Sequence, residues 1–315
     1  MRVSDLGRWT HPTTILVATD LSDLDHLMPF ALEQAGETGA HLILLHALPP
    51  SAVFGADASG MPYFDKGSAL ETAHEMLRPW CEVAARRGIR CDGLVREGHS
   101  IQQIAAAVDQ FKADRVLLGT RSRSKIGKLL LGSVAEQVLR SVYLPVMTVG
   151  PEAHLPVARN GERVVLHATS LRETSRPSAA LACHVAATRN ANLVLLHVLP
   201  PIDVMQRKGM PTGLDSKAMV ELRILAEQTG AGCCSAVEPV IAHGNPFIEI
   251  LALAAARHAS LIVLGATRRL AFEHLTRERT VYRVLSHARC PVLTLREPQA
   301  MPEEVRAETA FAHHQ

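Results

Sequence analysis

The sequence predicts an α/β protein made of two tandem copies of one doubly wound domain, and three observations carry that reading. The segment Leu44-Leu45-His46-Ala47-Leu48-Pro49-Pro50 recurs as Leu195-Leu196-His197-Val198-Leu199-Pro200-Pro201, six identities in seven, and Ala18-Thr19 recurs as Ala168-Thr169. Gly98, Gly119 and Pro145 are separated by 21 and 26 residues, and so are Gly244, Gly265 and Pro291. Self-similarity at a fixed offset is the mark of a repeated structural unit, and it divides the 315 residues into halves of ordinary domain size. Within each half, short apolar runs alternate with longer segments of helical period, the pattern of a parallel sheet covered on both faces.

The elements of the first copy follow in order. Thr13 to Thr19 is short, apolar and rich in β-branched residues, so it predicts a buried strand. Helical spacing runs from Leu24 to Thr38 and stops at Gly39. His41 to Ala47 predicts a second strand, followed by a loop with Pro49, Pro50, Gly55, Gly60 and Pro62. A long helix is expected from about Gly67 to Arg87, then a strand from Ile89 to Arg96, a helix from Ile101 to Phe111 and a strand from Arg115 to Leu118. The copy closes with a helix over Val134 to Ser141 and a strand over Val146 to Val149. The copies meet around Gly150 to Gly161, where Gly, Pro, Asn and charges replace any apolar period. The expected units are residues 1–152, residues 161–298 and a tail over 299–315. Five strands per copy with right-handed crossovers make a doubly wound sheet, whose ligand crevice lies at the carboxyl ends of the strands where strand order reverses.

Composition narrows the function. Lys and Arg number 33 against 31 Asp and Glu, a net charge of +2, and a dedicated nucleic-acid binder would carry a strongly basic domain. Aromatics are 4% of the chain, too few for a base-stacking surface. The longest apolar run, Ile250 to Ala256, is far below the about 20 residues of a membrane span. The N-terminal residues lack the h-region of a signal peptide, so the expected location is the cytoplasm. None of the six cysteines forms C-x-x-C, the vicinal Cys233-Cys234 reads as small apolar residues of a reducing compartment, and no H-E-x-x-H occurs among the 16 histidines.

The first copy places a candidate anion site at its strand ends. Its first strand ends in Thr19-Asp20-Leu21-Ser22, and its fourth runs into Gly119-Thr120-Arg121-Ser122, nine further residues and Gly132-Ser133 at the start of a helix. This is not a Walker loop, because Gly127-Lys128 is followed by Leu129. Glycines at both ends let backbone N–H groups approach a phosphate, and the helix after Gly132 directs its unpaired N–H groups and positive dipole end to the same place. Arg121, Arg123, Lys125 and Lys128 add cations, with no acid before Glu136. A second reading uses the same residues without a ligand: Ser133-x-x-Glu136 is a capping box, and the glycines are turn residues. Asp20 favours the ligand, since an acid at the mouth of the first strand can accept ribose hydroxyls; otherwise it, or Asp23, caps the following helix.

The combination Gly119-x2-Ser122-x9-Gly132-Ser133, with Val17-Ala18-Thr19-Asp20 upstream and Pro145-Val146-x2-Val149 at the end, resembles the universal stress protein family. The resemblance covers Thr13 to Val149 and Arg163 to Leu295. It implies a Rossmann-like, adenine nucleotide alpha hydrolase-like sheet of order 3-2-1-4-5 in each copy, with Asp20 and Gly119 flanking the switch point. ATP-binding members carry G-x2-G-x9-G-[ST], and Ser122 stands here where their second glycine belongs. By that resemblance the ligand is ATP, with or without magnesium. Asp20 would hold its ribose and adenine side with Ala18 beneath, and Ala47 would border the adenine. Leu118 and Gly119 would pass under the ribose and phosphates, and Ser122, Gly132, Ser133 and Val134 would face the phosphates.

The second copy departs from the pattern. Ser170 replaces Asp20, Arg268 falls at the second glycine position, and Glu278-Arg279 replaces Gly132-Ser133. A glutamate directed at phosphates repels them, so the second copy is not expected to bind ATP, and Arg268, Arg269, Arg277 and Arg279 read as a solvated basic face. The expected function is a nucleotide-dependent regulatory protein of the stress response with an adenine nucleotide and a regulatory protein as partners. The competing readings are a structural module of the same family and a slow ATPase. No catalytic residue and no metal ligand is assigned, because the loop from Thr120 to Leu131 holds no general base and no metal-binding acid. The last strands would leave apolar edges open, so the copies are expected to pair as an internal pseudo-dimer, and the family resemblance adds a homodimer of whole chains.

Overall fold

The computed structural model describes residues 3–50, 66–120, 131–155, 162–230, 236–267 and 275–297. The first half runs α1 (Val3–Thr10), β1 (Thr14–Thr19), α2 (Leu24–Thr38), β2 (His41–Leu48), α3 (Lys66–Arg86), β3 (Cys91–Glu97), α4 (Ser100–Phe111), β4 (Arg115–Gly119), α5 (Ser133–Ser141) and β5 (Val146–Val149). The second half runs β6 (Arg163–Ala168), a single 3-10 turn (Glu173–Ser175), α6 (Arg176–Thr188), β7 (Ala191–Leu199), α7 (Ile202–Arg207), α8 (Leu214–Gly230), β8 (Val237–His243), α9 (Pro246–Ala256), β9 (Leu261–Thr267), α10 (Leu275–His287) and β10 (Val292–Glu297).

All ten strands form one sheet of order β3-β2-β1-β4-β5-β10-β9-β6-β7-β8. Each half therefore has the order 3-2-1-4-5, and its strands are parallel. The halves join where β5 and β10 pair antiparallel, with Met147 opposite Leu293. That pairing satisfies two edges that would otherwise expose unpaired backbone groups. It also reverses strand direction, so the carboxyl ends of the two halves lie at opposite margins of the sheet.

The strands are apolar throughout because both faces are covered. Alternation sends Ile15 and Val17 into one core with Leu42, Leu44 and Leu117. It sends Leu16 and Ala18 into the other with Ile43, Leu45 and Leu118. The first core also takes residues of α2, α3, α6 and α8 from both halves, and the second takes α4, α5, α9 and α10. Each fully buried aliphatic side chain contributes about 1.5–3 kcal/mol. Gly39 ends α2 in the left-handed region, with φ of 70° and its N–H on the Ala35 carbonyl at 2.8 Å.

The structure differs from the sequence reading in three places. Helix α1 precedes β1, packing Leu6 and Trp9 against the first core. Strand β3 begins at Cys91 rather than Ile89. The segment from Pro200 to Lys217, whose counterpart after Pro49-Pro50 in the first copy reads as a loop, contains α7 and the start of α8. Residues 51–65, Cys233, Cys234 and the tail lie outside the described residues.

Candidate nucleotide site

Strands β1 and β4 are neighbours, with Ala18 in register with Leu118. The chain leaves β1 toward β2 on one side and leaves β4 toward β5 on the other, so the switch point lies between the ends of β1 and β4. The residues that reach it from β1 are Ala18, buried in the second core, and Asp20, half-buried just beyond the strand. Ala47 comes from the end of β2, and Leu118 and Gly119 come from β4.

The end of β1 is shaped by hydrogen bonds. Thr19 Oγ1 donates to Asp23 Oδ1 at 2.6 Å and accepts from the Leu21 N–H at 2.9 Å. Leu21 is thereby held at φ 73°, a region a branched side chain seldom adopts. His46 Nδ1 lies 3.0 Å from the Thr19 carbonyl oxygen. A carbonyl only accepts, so Nδ1 carries the proton. The second half repeats this frame: Leu171 sits at φ 58° with its N–H on Thr169 Oγ1 at 3.1 Å, and His197 Nδ1 lies 2.9 Å from the Thr169 carbonyl. The histidine of the repeated Leu-Leu-His segment thus belongs to the scaffold of both halves.

What differs between the halves is the polar content at the strand ends. Asp20 Oδ1 accepts from the Ser22 N–H at 2.9 Å and the Ser22 hydroxyl at 2.6 Å. At the matching place Ser170 Oγ lies 2.7 Å from Ser175 Oγ, and the exposed Glu173 takes the position of Asp23. Asp23 itself occupies the N-cap position of α2 but makes no side-chain cap bond. It turns inward, and Oδ2 stands 2.5 Å from where a Cβ on Gly119 would be. Burial pushes the Asp23 carboxyl above the usual carboxylate range; the Thr19 hydroxyl opposes the rise and the charge of Asp20 adds to it.

The phosphate side is built from β4 and α5. The Thr120 N–H bonds the Val149 carbonyl at 3.1 Å, and the Gly132 N–H bonds the Thr120 carbonyl at 3.2 Å, which sets the start of α5 beside the end of β4. Gly132 is the N-cap and has no side chain to offer. Ser133 is the first helical residue, not the cap, so the capping box the sequence allows is not formed, and Glu136 pairs instead with Arg140 at 2.9 Å. Ser133 is exposed and Val134 is 37% exposed. Thr120 is buried, and its hydroxyl has no hydrogen-bond partner among the described residues. An uncapped helix start and an orphaned hydroxyl suit an anion rich in acceptors, so these residues fit a nucleotide phosphate. Ser122 and its basic neighbours lie outside the described residues, as do Arg268 and Arg269; of Arg277, Glu278 and Arg279 only the helical backbone is described.

The sequence pattern gives Thr120 no role, and Asp23 reads in it only as a helix cap. Thr120 had a signal, a polar residue closing an apolar strand where the second copy has Ala266. Among the described residues no cluster of His, Cys, Asp and Glu is arranged to hold a metal ion, and no helix is long and apolar enough to cross a membrane.

Known proteins show the same architecture. A family model described as "Universal stress protein family" matches residues 12–150 and again 162–296. A universal stress protein of Mycolicibacterium smegmatis is 26% identical over 299 residues, covering 90% of this chain and 96% of its own length. One from Thermus aquaticus is 33% identical over 140 residues, 43% of this chain and 97% of that protein. The crystal structure of a universal stress protein from Archaeoglobus fulgidus superposes with a TM-score of 0.68 at 22% identity, covering 90% of this chain and 98% of that one. That likeness shows the fold, and the two family matches fall one on each half. The chain is a tandem member of the universal stress protein family.

Proposed function

We propose that this chain is a nucleotide-dependent regulatory protein that binds ATP, with or without magnesium, through its first half alone. One observation carries the reading: α5 opens on Gly132 beside the end of β4 with no side-chain cap. The second half places Glu278-Arg279 at the corresponding point of the sequence. The orphaned Thr120 hydroxyl and the acid at Asp20, against Ala266 and Ser170, support the same asymmetry. In this reading the first-turn amides of α5 bind phosphate, Asp20 takes the ribose side, and Ala18 and Ala47 leave room for the base. Burying a polyanion at a helix start is worth up to about 2 kcal/mol from the dipole alone. With no general base assigned, the output is a change of conformation or assembly read by a protein partner.

Thermal denaturation with and without ATP and magnesium tests this. At about a hundredfold excess over Kd, binding to the folded state stabilises by about 2.7 kcal/mol. The wild type and Ser170→Ala should show that shift, and Asp20→Ala and Gly132→Glu should lose it. Equal loss in Ser170→Ala and Asp20→Ala would overturn the assignment to the first half.

A further inference from the structure

We propose that Cys81 and Cys91 form a dithiol site that hydroperoxides oxidise reversibly to a disulfide, tying α3 to β3. The geometry starts from strand alternation, which turns Cys91 and Gly93 toward the same face. Gly93 has no side chain, and a Cβ there would stand 3.3 Å from Leu77 Cβ, so α3 lies close over the strand. Leu77 and Cys81 are four residues apart on one face of α3. The helix that rests on Gly93 through Leu77 therefore brings Cys81 onto Cys91. The sulfurs are 3.3 Å apart, with the Cys91 thiol donating to Cys81 Sγ. A disulfide needs about 2.05 Å, so closure requires the sulfurs to approach by about 1 Å. Both cysteines are free thiols, half-buried at the edge of the first core.

The pair is not a requirement of the fold. In the second half Val237 holds the register position of Cys91, opposite Leu193 as Cys91 is opposite Leu42. The two thiols are also chemically unequal. The hydrogen bond from Cys91 holds the Cys81 thiol below its ordinary range, and the same bond with burial pushes Cys91 up. Cys81 is thus the thiolate that reacts first. Its sulfur attacks the hydroperoxide, an S–O bond forms as the O–O bond breaks, and an alcohol (or water) departs with a proton. Cys81 is left as a sulfenic acid. Cys91 then gives up its proton and attacks Cys81 Sγ; the S–S bond forms, the S–O bond breaks, and water leaves. Two thiols supply the two electrons that reduce the peroxide, and an added dithiol reverses the change by exchange. Because β3 is the outer strand of the sheet, the cross-link fixes an edge to the helix that covers it.

The test uses the full chain, treated with hydrogen peroxide, blocked with N-ethylmaleimide and digested with trypsin without reduction. Cleavage after Lys66, Arg86, Arg90 and Arg96 puts Cys81 in the peptide 67–86 and Cys91 in the peptide 91–96. The expected product is these two peptides linked, lighter by two hydrogen atoms than their sum and separated by dithiothreitol. Peptides that return alkylated and unlinked, or linked to other cysteines, would overturn the proposal. With dimedone present, Cys91→Ser should trap the adduct on Cys81, whereas Cys81→Ser should label Cys91 several-fold more slowly. Equal labelling rates would overturn the order of attack.

Discussion

The Asp23 carboxylate fills the space that a side chain on residue 119 would need: its Oδ2 stands 2.5 Å from the Cβ position of Gly119, with Leu27 Cδ2 a comfortable 3.6 Å away. Gly119 is therefore fixed by an acid on the neighbouring helix as well as by any ligand. Gly119→Ala should cost about 1–3 kcal/mol, because the carboxylate must give up its place. In Asp23→Ala the obstruction is gone, and the same glycine change should be nearly silent. A double-mutant cycle in urea should return a coupling of about 0.5–3 kcal/mol; additive effects would refute the contact.

The two halves are also joined by charge. Glu37 at the end of α2 pairs with Arg189 at 3.0 Å and with Arg163, both from the second half. The Arg189 side chain is only 8% exposed, so removing the glutamate leaves a shielded cation with Glu33 as its remaining acid. Glu37 is 22% exposed itself, which places the cost between that of a surface pair and a buried one. Glu37→Ala should destabilise by about 1–3 kcal/mol in equilibrium unfolding. Arg163→Ala, the more exposed partner, should cost less. The reverse order would show that Arg163 and not Arg189 carries the junction.

Acid should weaken the second half through His167. This imidazole is fully buried where the first half has Val17. Its Nδ1 lies 2.9 Å from the Val263 carbonyl and its Nε2 has no partner among the described residues. Burial lowers its pKa to about 4, against 6.5 for a free histidine. The unfolded chain binds the proton first, so the neutral histidine favours folding fully above pH 6.5 and that contribution is lost as pH falls toward 4. The loss amounts to about 3 kcal/mol. Stability measured between these limits should fall less steeply in His167→Val; an unchanged slope would assign the acid response elsewhere.

The fold was legible because its signals are local or repeated. Strands β1 and β2 are apolar runs with β-branched residues, Gly39 ends α2 where expected, and the paired Leu-Leu-His segments align the halves. Helix α1 was not legible. Eight residues give too few turns for a period, and the helix is held by tertiary contacts: Leu6 and Trp9 on the core, Arg115 donating to the Trp9 carbonyl at 2.7 Å, and Arg8 on Asp114 at 2.6 Å. The candidate site divides in the same way. Asp20, Gly119 and Gly132 stand out by residue type and spacing. The inward turn of Asp23 does not, because it depends on open space nearly a hundred residues further along the chain. Cys81 and Cys91 escape notice for the same reason, since no spacing motif covers a helix folding back on its strand.

The stoichiometry of ATP at saturation tests the central claim most directly. Calorimetric titration of the full chain with ATP and magnesium should give one nucleotide per chain, and Gly132→Glu should give none. Two nucleotides per chain, or one that survives in Gly132→Glu, would contradict a site confined to the first half.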